Sequence, residues 1–137
     1  MKAVAYNIKP FEKEFLAKAN EKKHDITLIA NALSIDTANY AEGKDAVIVC
    51  DNDDLSAPVI KKLAELGIKY IVTRSITTDH IDKVAAGIYR INFSNIPLYP
   101  QHTAMLPQAQ QAIANQTIKN LDVWQANTFM GDACRLC

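Results

Sequence analysis

The chain has 137 residues, of which 49% are hydrophobic and 22% charged, with 15 basic and 15 acidic side chains. This length corresponds to one domain, and the composition is typical of globular proteins. A net charge of zero argues against nucleic acid or an anionic membrane as the main partner, because both attract excess positive charge. No apolar run reaches the roughly 18 residues of a membrane span.

Two further features concern the compartment. The N-terminal sequence MKAVAYNIKPFEKEF lacks the apolar stretch and the cleavage site of a secretory signal. The chain has three cysteines, an odd number without the pattern of a disulfide framework. The sequence therefore predicts a cytoplasmic protein.

Short apolar runs alternate with helical patterns over residues 1–103, which we predict to form one domain. The runs predict five strands, at residues 3–7, 25–30, 45–50, 69–73 and 88–93. A helix begins at Pro10, another ends at Gly67, and a short one is predicted for Asp79–Ala86 before Gly87. Alternating strands and helices predict an α/β fold with a parallel sheet covered on both faces, in the flavodoxin-like order 2-1-3-4-5.

A long helix is predicted at residues 104–126, because Ala109, Ile113, Leu121 and Trp124 recur near helical spacing. Its apolar face needs a partner. We expect a homodimer or a partner protein on this face, with folding back onto its own sheet as a nearly equal alternative. Residues 127–137, NTFMGDACRLC, are predicted to form a separate tail.

Ligands of open α/β sheets bind at the carboxyl ends of the strands. Three polar loops are expected to meet there: Asn7–Pro10, Asp51–Asp54 and Arg74–Thr78. The last loop is a turn between a strand and a helix, and such a turn directs backbone N–H groups outward. This arrangement suits an anion such as a carboxylate. His24, in contrast, closes the first helix and is predicted to be solvated.

Part of this sequence resembles a known family. TRSITTDHID, at residues 73–82, is similar to the Thr-Arg-Ser/Asn-x-Gly-x-Asp-x-Ile-Asp turn of the D-isomer-specific 2-hydroxyacid dehydrogenases. Residues 5–29 and 41–71 resemble the first strands and helices of the D-lactate dehydrogenase branch, and IPLYPQH, at 96–102, resembles its Val-Pro-x-Tyr-Ser-Pro-His segment.

The resemblance implies a substrate site and a cofactor. In the family, the backbone of the x-Gly pair and a tyrosine contact the substrate, and these positions are Ile76, Thr77 and Tyr99 here. Asn52, in the loop after the third strand, is the fourth substrate-binding candidate. The implied ligand is a small 2-hydroxy or 2-oxo acid, and the family's cofactor is NAD.

The chain departs from the family in two respects. Thr77 stands where the family has glycine, and a branched Cβ resists both positive φ and close approach. The glycines are Gly43, Gly67, Gly87 and Gly131, so the G-x-G-x-x-G fingerprint cannot be written. The family's catalytic Arg, Glu and His come from a region that these residues do not include.

We therefore predict no catalytic residue and no cofactor-binding residue in this chain, which would be inactive alone. One expectation is a stand-alone, non-catalytic domain that binds a small carboxylate or a protein, and the ending NTFMGDACRLC favours it. The alternative is a subunit or fragment of an NAD-dependent D-2-hydroxyacid (lactate) dehydrogenase, an oxidoreductase.

The tail also contains a C-x-x-C pair, Cys134 and Cys137. One such pair supplies two thiolates, whereas a structural zinc needs four ligands. A dimer could supply four, and a reversible disulfide or no role at all are the alternatives. No other metal site is predicted.

Overall fold

The computed structural model of the chain describes residues 1–96 and 107–135, including the side chains of 1–96 and 108–126. Its sheet has five parallel strands in the order β2-β1-β3-β4-β5, which confirms the predicted topology. The strands are β1 (Lys2–Ala5), β2 (Asp25–Leu28), β3 (Ala46–Val49), β4 (Tyr70–Thr73) and β5 (Asn92–Ser94).

Helices cover both faces of this sheet. They are α1 (Pro10–Asn20), a 3-10 helix (Ala38–Ala41), α2 (Ala57–Glu65), α3 (Lys83–Ile88) and α4 (Pro107–Arg135). The 3-10 helix, α2 and α3 pack on one face, and α1 and α4 pack on the other. No helix in the described part of the chain is long and apolar enough to cross a bilayer.

The central strands β3 and β4 are buried along their whole length because helices cover both of their faces. Side chains alternate between the two cores, as the pleat of a strand requires. Val47 and Ile71 enter the core beneath α2 and α3. Ile48 and Val72 enter the core beneath α1 and α4.

Helix α3 begins later than predicted, at Lys83 instead of Asp79. Asp82 caps it, since its carboxylate accepts the N–H of Ala85 at 3.0 Å. Ile81 is buried and pairs with Leu55 in an isolated bridge, which holds the preceding residues outside the helix.

Strand β5 also begins later than predicted, at Asn92 instead of Ile88. Gly87 lies inside α3 and does not end it. The chain turns at Arg90, whose φ of 58° is in the left-handed region. This turn is what delays the strand.

Helix α4 folds back on its own sheet. Its Ala114, Ile118 and Leu121 are buried against the sheet, and Trp124 stacks on Tyr70 with ring centroids 5.0 Å apart. The helix runs from Pro107 to Arg135, beyond the predicted end at residue 126 and through most of the predicted tail. Fold-back is thus the alternative that the structure contains, and a homodimer or a partner protein on this helix stays a prediction.

His24 is buried, so its predicted solvation was wrong. Its side chain is 2% exposed, and its Nε2 lies 2.6 Å from the Asp122 carboxylate on α4. Asn20 holds its backbone by donating to the His24 carbonyl at 2.9 Å and accepting its N–H at 3.0 Å. A histidine at the end of α1 therefore helps to hold α4 in place.

The docking of α4 predicts a stability difference between two positions on that helix. Leu121→Ala removes a side chain that is 0% exposed and should lower the free energy of unfolding by about 2–5 kcal/mol. Val123→Ala, at a side chain that is 47% exposed, should change it by less than about 0.5 kcal/mol. Urea denaturation followed by circular dichroism measures both.

The same denaturation repeated at two protein concentrations is the control. An intrachain contact gives a Leu121→Ala effect that does not depend on concentration. Equal effects of the two substitutions would contradict the fold-back of α4.

Candidate functional site

The candidate site lies at the carboxyl edge of the sheet, where β1, β3 and β4 end next to one another. Each of these strands is followed by one of the three polar loops expected to meet there. Side-chain hydrogen bonds connect the three loops, so their residues form one connected site.

Arg74 is the main connection between the loops. Its side chain is 4% exposed, although it carries a full charge. Its guanidinium donates to Glu12 on α1 at 2.9 Å and to the carbonyls of Tyr6 and Asn7 at 3.2 Å each. The turn after β4 is therefore bonded directly to the loop after β1.

Asn7 and Asp53 connect the loop after β3. Asn7, with a φ of 57°, donates its amide to the Cys50 thiol at 3.2 Å. Asp53 is buried, and its carboxylate accepts the N–H groups of Leu33 and Cys50 at 2.8 Å each. Burial is the main cause that raises the pKa of the Cys50 thiol, so this cysteine is held protonated at neutral pH.

The turn at residues 75–78 has all four of its carbonyls occupied. Ser75 accepts the N–H of Ile96 at 3.1 Å, and Ile76 accepts the side-chain amide of Asn95. The Thr77 carbonyl accepts the Ser75 hydroxyl at 2.9 Å. The Thr78 carbonyl accepts the N–H of Ile81 and the ammonium of Lys83, at 3.0 Å each.

Unlike these carbonyls, three backbone N–H groups of the same turn have no hydrogen-bond partner among the described residues. Within the described residues, the backbone N–H groups of Ile76, Thr77 and Thr78 donate to no protein acceptor. In a trans peptide the N–H points away from the carbonyl, so fixed carbonyls also fix the directions of these donors. Oriented, unused N–H groups at an exposed turn are suited to bind an anion.

Thr77 is accommodated without strain. Among described non-glycine residues, positive φ occurs at Asn7, Glu21, Lys22 and Arg90. The Thr77 hydroxyl accepts the N–H of Asp79 at 3.0 Å. A threonine here therefore serves the turn locally, although its Cβ still stands where the family has a hydrogen atom.

A second set of hydrogen bonds lies beneath the turn. The Thr73 hydroxyl is 2.6 Å from the Ser75 hydroxyl and 3.2 Å from Nε2 of His80. Burial is the main cause that lowers the pKa of His80 below its usual value of 6.5, and the charge of Asp51 is the largest opposing influence. His80 is therefore neutral at physiological pH.

Three of the four predicted substrate residues lie at this edge of the sheet. Ile76 and Thr77 are exposed in the turn after β4, and Asn52 is exposed in the loop after the neighbouring β3. Tyr99 lies outside the described residues.

The C-x-x-C pair is not placed in the same detail. The backbone of Cys134 belongs to α4, and Cys137 lies outside the described residues. Over the described part of the chain, no group of three or more His, Cys, Asp or Glu side chains is arranged to hold a metal ion.

Sequence reasoning did not find the Arg74–Glu12 pair or the role of Asp53. The sequence placed Asp53 within the polar loop Asp51–Asp54 but did not show that its buried carboxylate binds two loop amides. The available signal, for Arg74, was a charged residue directly after a strand that is buried along its whole length, since a charge at such a position is buried only with partners. The sequence gives no distance to Glu12, 62 residues away.

Comparisons with a family model and with individual proteins point to the same group of proteins. The family model described as "D-isomer specific 2-hydroxyacid dehydrogenase, catalytic domain" matches residues 3–133. An aromatic 2-oxoacid reductase of Clostridium sporogenes is 33% identical over 100 residues, which are 72% of this chain and 30% of that protein. A D-lactate dehydrogenase of Escherichia coli is 32% identical over 97% of this chain and 40% of its own length.

Solved structures agree with this. The apo-structure of D-lactate dehydrogenase from Escherichia coli superposes with a TM-score of 0.71 and 32% identity, over 73% of this chain and 32% of that one. The chain thus spans between about a third and two fifths of the length of these relatives.

The buried charge of Arg74 leads to a stability prediction. Arg74→Met removes the guanidinium that donates to Glu12 Oε2 and to the Tyr6 and Asn7 carbonyls, and leaves the Glu12 charge without its cation. It should cost about 3–5 kcal/mol of unfolding free energy. Lys13→Met, at an exposed position on α1, is the matched control and should change stability by less than about 0.5 kcal/mol. Chemical denaturation measures both, and equal effects would contradict the buried pair.

Proposed function

The chain belongs to the D-isomer specific 2-hydroxyacid dehydrogenase family, and from this premise we propose that it binds the carboxylate of a small 2-oxo or 2-hydroxy acid at the turn after β4. It corresponds to the substrate-binding part of such an enzyme. Hydride transfer belongs to polypeptide that these 137 residues do not include.

One observation supports this proposal above the others. Ile76, Thr77 and Thr78 present unused N–H groups at the carboxyl edge of the sheet, while hydrogen bonds hold their carbonyls. N–H groups that bind a carboxylate form charge-assisted bonds, which are stronger than bonds between neutral groups. Because the turn is already oriented, binding loses little conformational entropy.

Arg74 has a structural role at this site. Its charge is compensated by Glu12 at 2.9 Å, so it acts on the turn by fixing its base. The proposed attraction for a carboxylate therefore comes from the backbone dipoles of the turn, with the Lys83 ammonium nearby, and not from this guanidinium. We expect a modest affinity, about 4 kcal/mol, which corresponds to a dissociation constant of roughly 1 mM.

The cofactor of the family does not fit the residues of this chain. NAD-binding domains place a glycine-rich turn between a strand and a helix N-terminus. Here Gly43 and Gly67 lie in turns with positive φ after helices, and Gly87 lies inside α3. No G-x-G-x-x-G exists in the sequence. No chemical step is therefore assigned to nicotinamide on this chain.

A second candidate is a stand-alone binding module that never joins a catalytic partner. Both candidates require the same carboxylate site. They differ in whether another polypeptide uses the bound acid.

Amide NMR titration with pyruvate tests the shared site. The amide signals of Ile76, Thr77 and Thr78 should shift together and saturate near millimolar ligand, because their N–H groups gain acceptors. Exposed amides of α2 should not shift. Pyruvamide, which has the ketone without the charge, is the matched control and should leave the turn signals unchanged.

Phenylpyruvate in the same titration compares an aromatic with an aliphatic acid, since relatives of both kinds are found. Uniform shifts across the protein, or no shifts with any acid, would refute the proposal. With NADH and pyruvate together, the chain alone should not oxidise NADH. Oxidation would contradict the assignment of hydride transfer to other polypeptide.

A further inference from the structure

We propose that His80, as the neutral tautomer protonated at Nε2, is a positioning residue that holds the carboxylate-binding turn through a hydrogen-bond chain of fixed direction. The chain runs from His80 through Thr73 and Ser75 to the Thr77 carbonyl. The proposal rests on the proposed function only for its effect on ligand binding.

The direction of the chain follows from the number of available hydrogens. The Thr77 carbonyl can only accept a hydrogen bond. The Ser75 hydroxyl, 2.9 Å away, must therefore donate its single hydrogen to it. The Thr73 hydroxyl, 2.6 Å from Ser75, must then donate to Ser75. Nε2 of His80, 3.2 Å from the Thr73 oxygen, is left as the donor and therefore carries the proton.

The opposite direction is worse at both ends. If Ser75 donated to Thr73 and Thr73 to His80, the Thr77 carbonyl would lose its donor. Nδ1 of His80 would then carry a hydrogen, and this atom is buried without a partner in the described part of the chain. A buried N–H without an acceptor is costly, so the tautomer of His80 and the orientation of Thr77 are coupled.

The chain acts on binding through the Thr77 peptide. Fixing the carbonyl of Thr77 fixes the N–H of Thr78 on the opposite side of the same peptide plane. Without a donor at His80, the buried Thr73 oxygen loses its partner and the chain is no longer fixed in one direction, so the Ser75 hydroxyl is held less firmly on the Thr77 carbonyl. The N–H of Thr78, one of the three offered to the carboxylate, then loses its fixed direction.

Acid should disturb this arrangement. Protonation adds a hydrogen at Nδ1 with no acceptor, so the ring must turn toward solvent and leave Thr73. Asp51 and Asp53, from the loop after β3, favour the charged form, as does Asp79 beside the turn, whereas Lys83 on α3 opposes it. Burial outweighs them and the pKa of His80 is lowered, so the chain is intact at neutral pH and is lost as pH falls through that lowered pKa.

The test uses the whole chain, with two substitutions of His80. His80→Gln keeps an N–H donor near the position of Nε2 but cannot titrate. His80→Leu removes the donor. We expect His80→Gln to bind pyruvate within about two-fold of the parent protein, and His80→Leu to bind about three- to ten-fold more weakly, as expected for one lost hydrogen bond.

Two readouts separate positioning from general stability. Long-range proton–nitrogen spectra of His80 at neutral pH should show a protonated Nε2 and a bare Nδ1. On acidification, the Thr77 and Thr78 amide signals and the pyruvate affinity should titrate together below pH 6.5 in the parent protein and stay flat in His80→Gln. The carboxylate of pyruvate remains ionised throughout this range.

The outcomes distinguish the two proposals. A tautomer protonated at Nδ1, or equal pyruvate affinity in all three proteins, overturns the role of His80 and leaves the carboxylate site standing. If the parent protein binds no acid, the proposed function fails. In that case the tautomer and the pH dependence of the Thr77 and Thr78 signals still decide the direction of the chain.

Discussion

The buried guanidinium of Arg74 is the constraint on which the candidate site depends. A charge that is 4% exposed is tolerated only with strong partners, and this one has the Glu12 carboxylate and the carbonyls of Tyr6 and Asn7. These partners belong to the end of β1 and the start of α1, whereas Arg74 follows β4. The pair therefore fixes the loop after β1 and the turn after β4 relative to one another. Strand β3 lies between these two strands in the sheet.

Helix α4 contributes to this constraint from a distance. Its Ile113 and Ala114 line a small gap beside Arg74 and Glu12, and its buried face packs on the core that contains Leu16 of α1. An apolar helix over an ion pair keeps water away and so strengthens the attraction between the charges. Packing of α4 and order at the turn after β4 are therefore physically linked through these side chains.

The sequence predicted the fold well because its signals are local. Apolar runs such as residues 45–50 and helix boundaries at Pro10 and Gly67 are properties of neighbouring residues, and the strand order followed from the simplest right-handed connections. The helix after β4 was misplaced because Ile81 is held by Leu55, a contact between segments distant in the sequence. The burial of His24 against Asp122 was missed for the same reason, with 98 residues between them. At the site, the turn was recognisable, but the partners that orient it were not.

The charges around the turn after β4 bear on how it would attract the proposed carboxylate. Arg74 is neutralised by Glu12, and the Lys83 ammonium is bound to the Thr78 carbonyl at 3.0 Å. In the proposed binding, an anion at the turn is attracted by the amide dipoles and by the Lys83 ammonium, because a hydrogen bond to a neutral carbonyl leaves the charge of the ammonium in place. Under the proposed function, the exposed Thr77 side chain, where the resemblance implies glycine, changes how closely a carboxylate approaches the turn and leaves the backbone N–H donors unchanged.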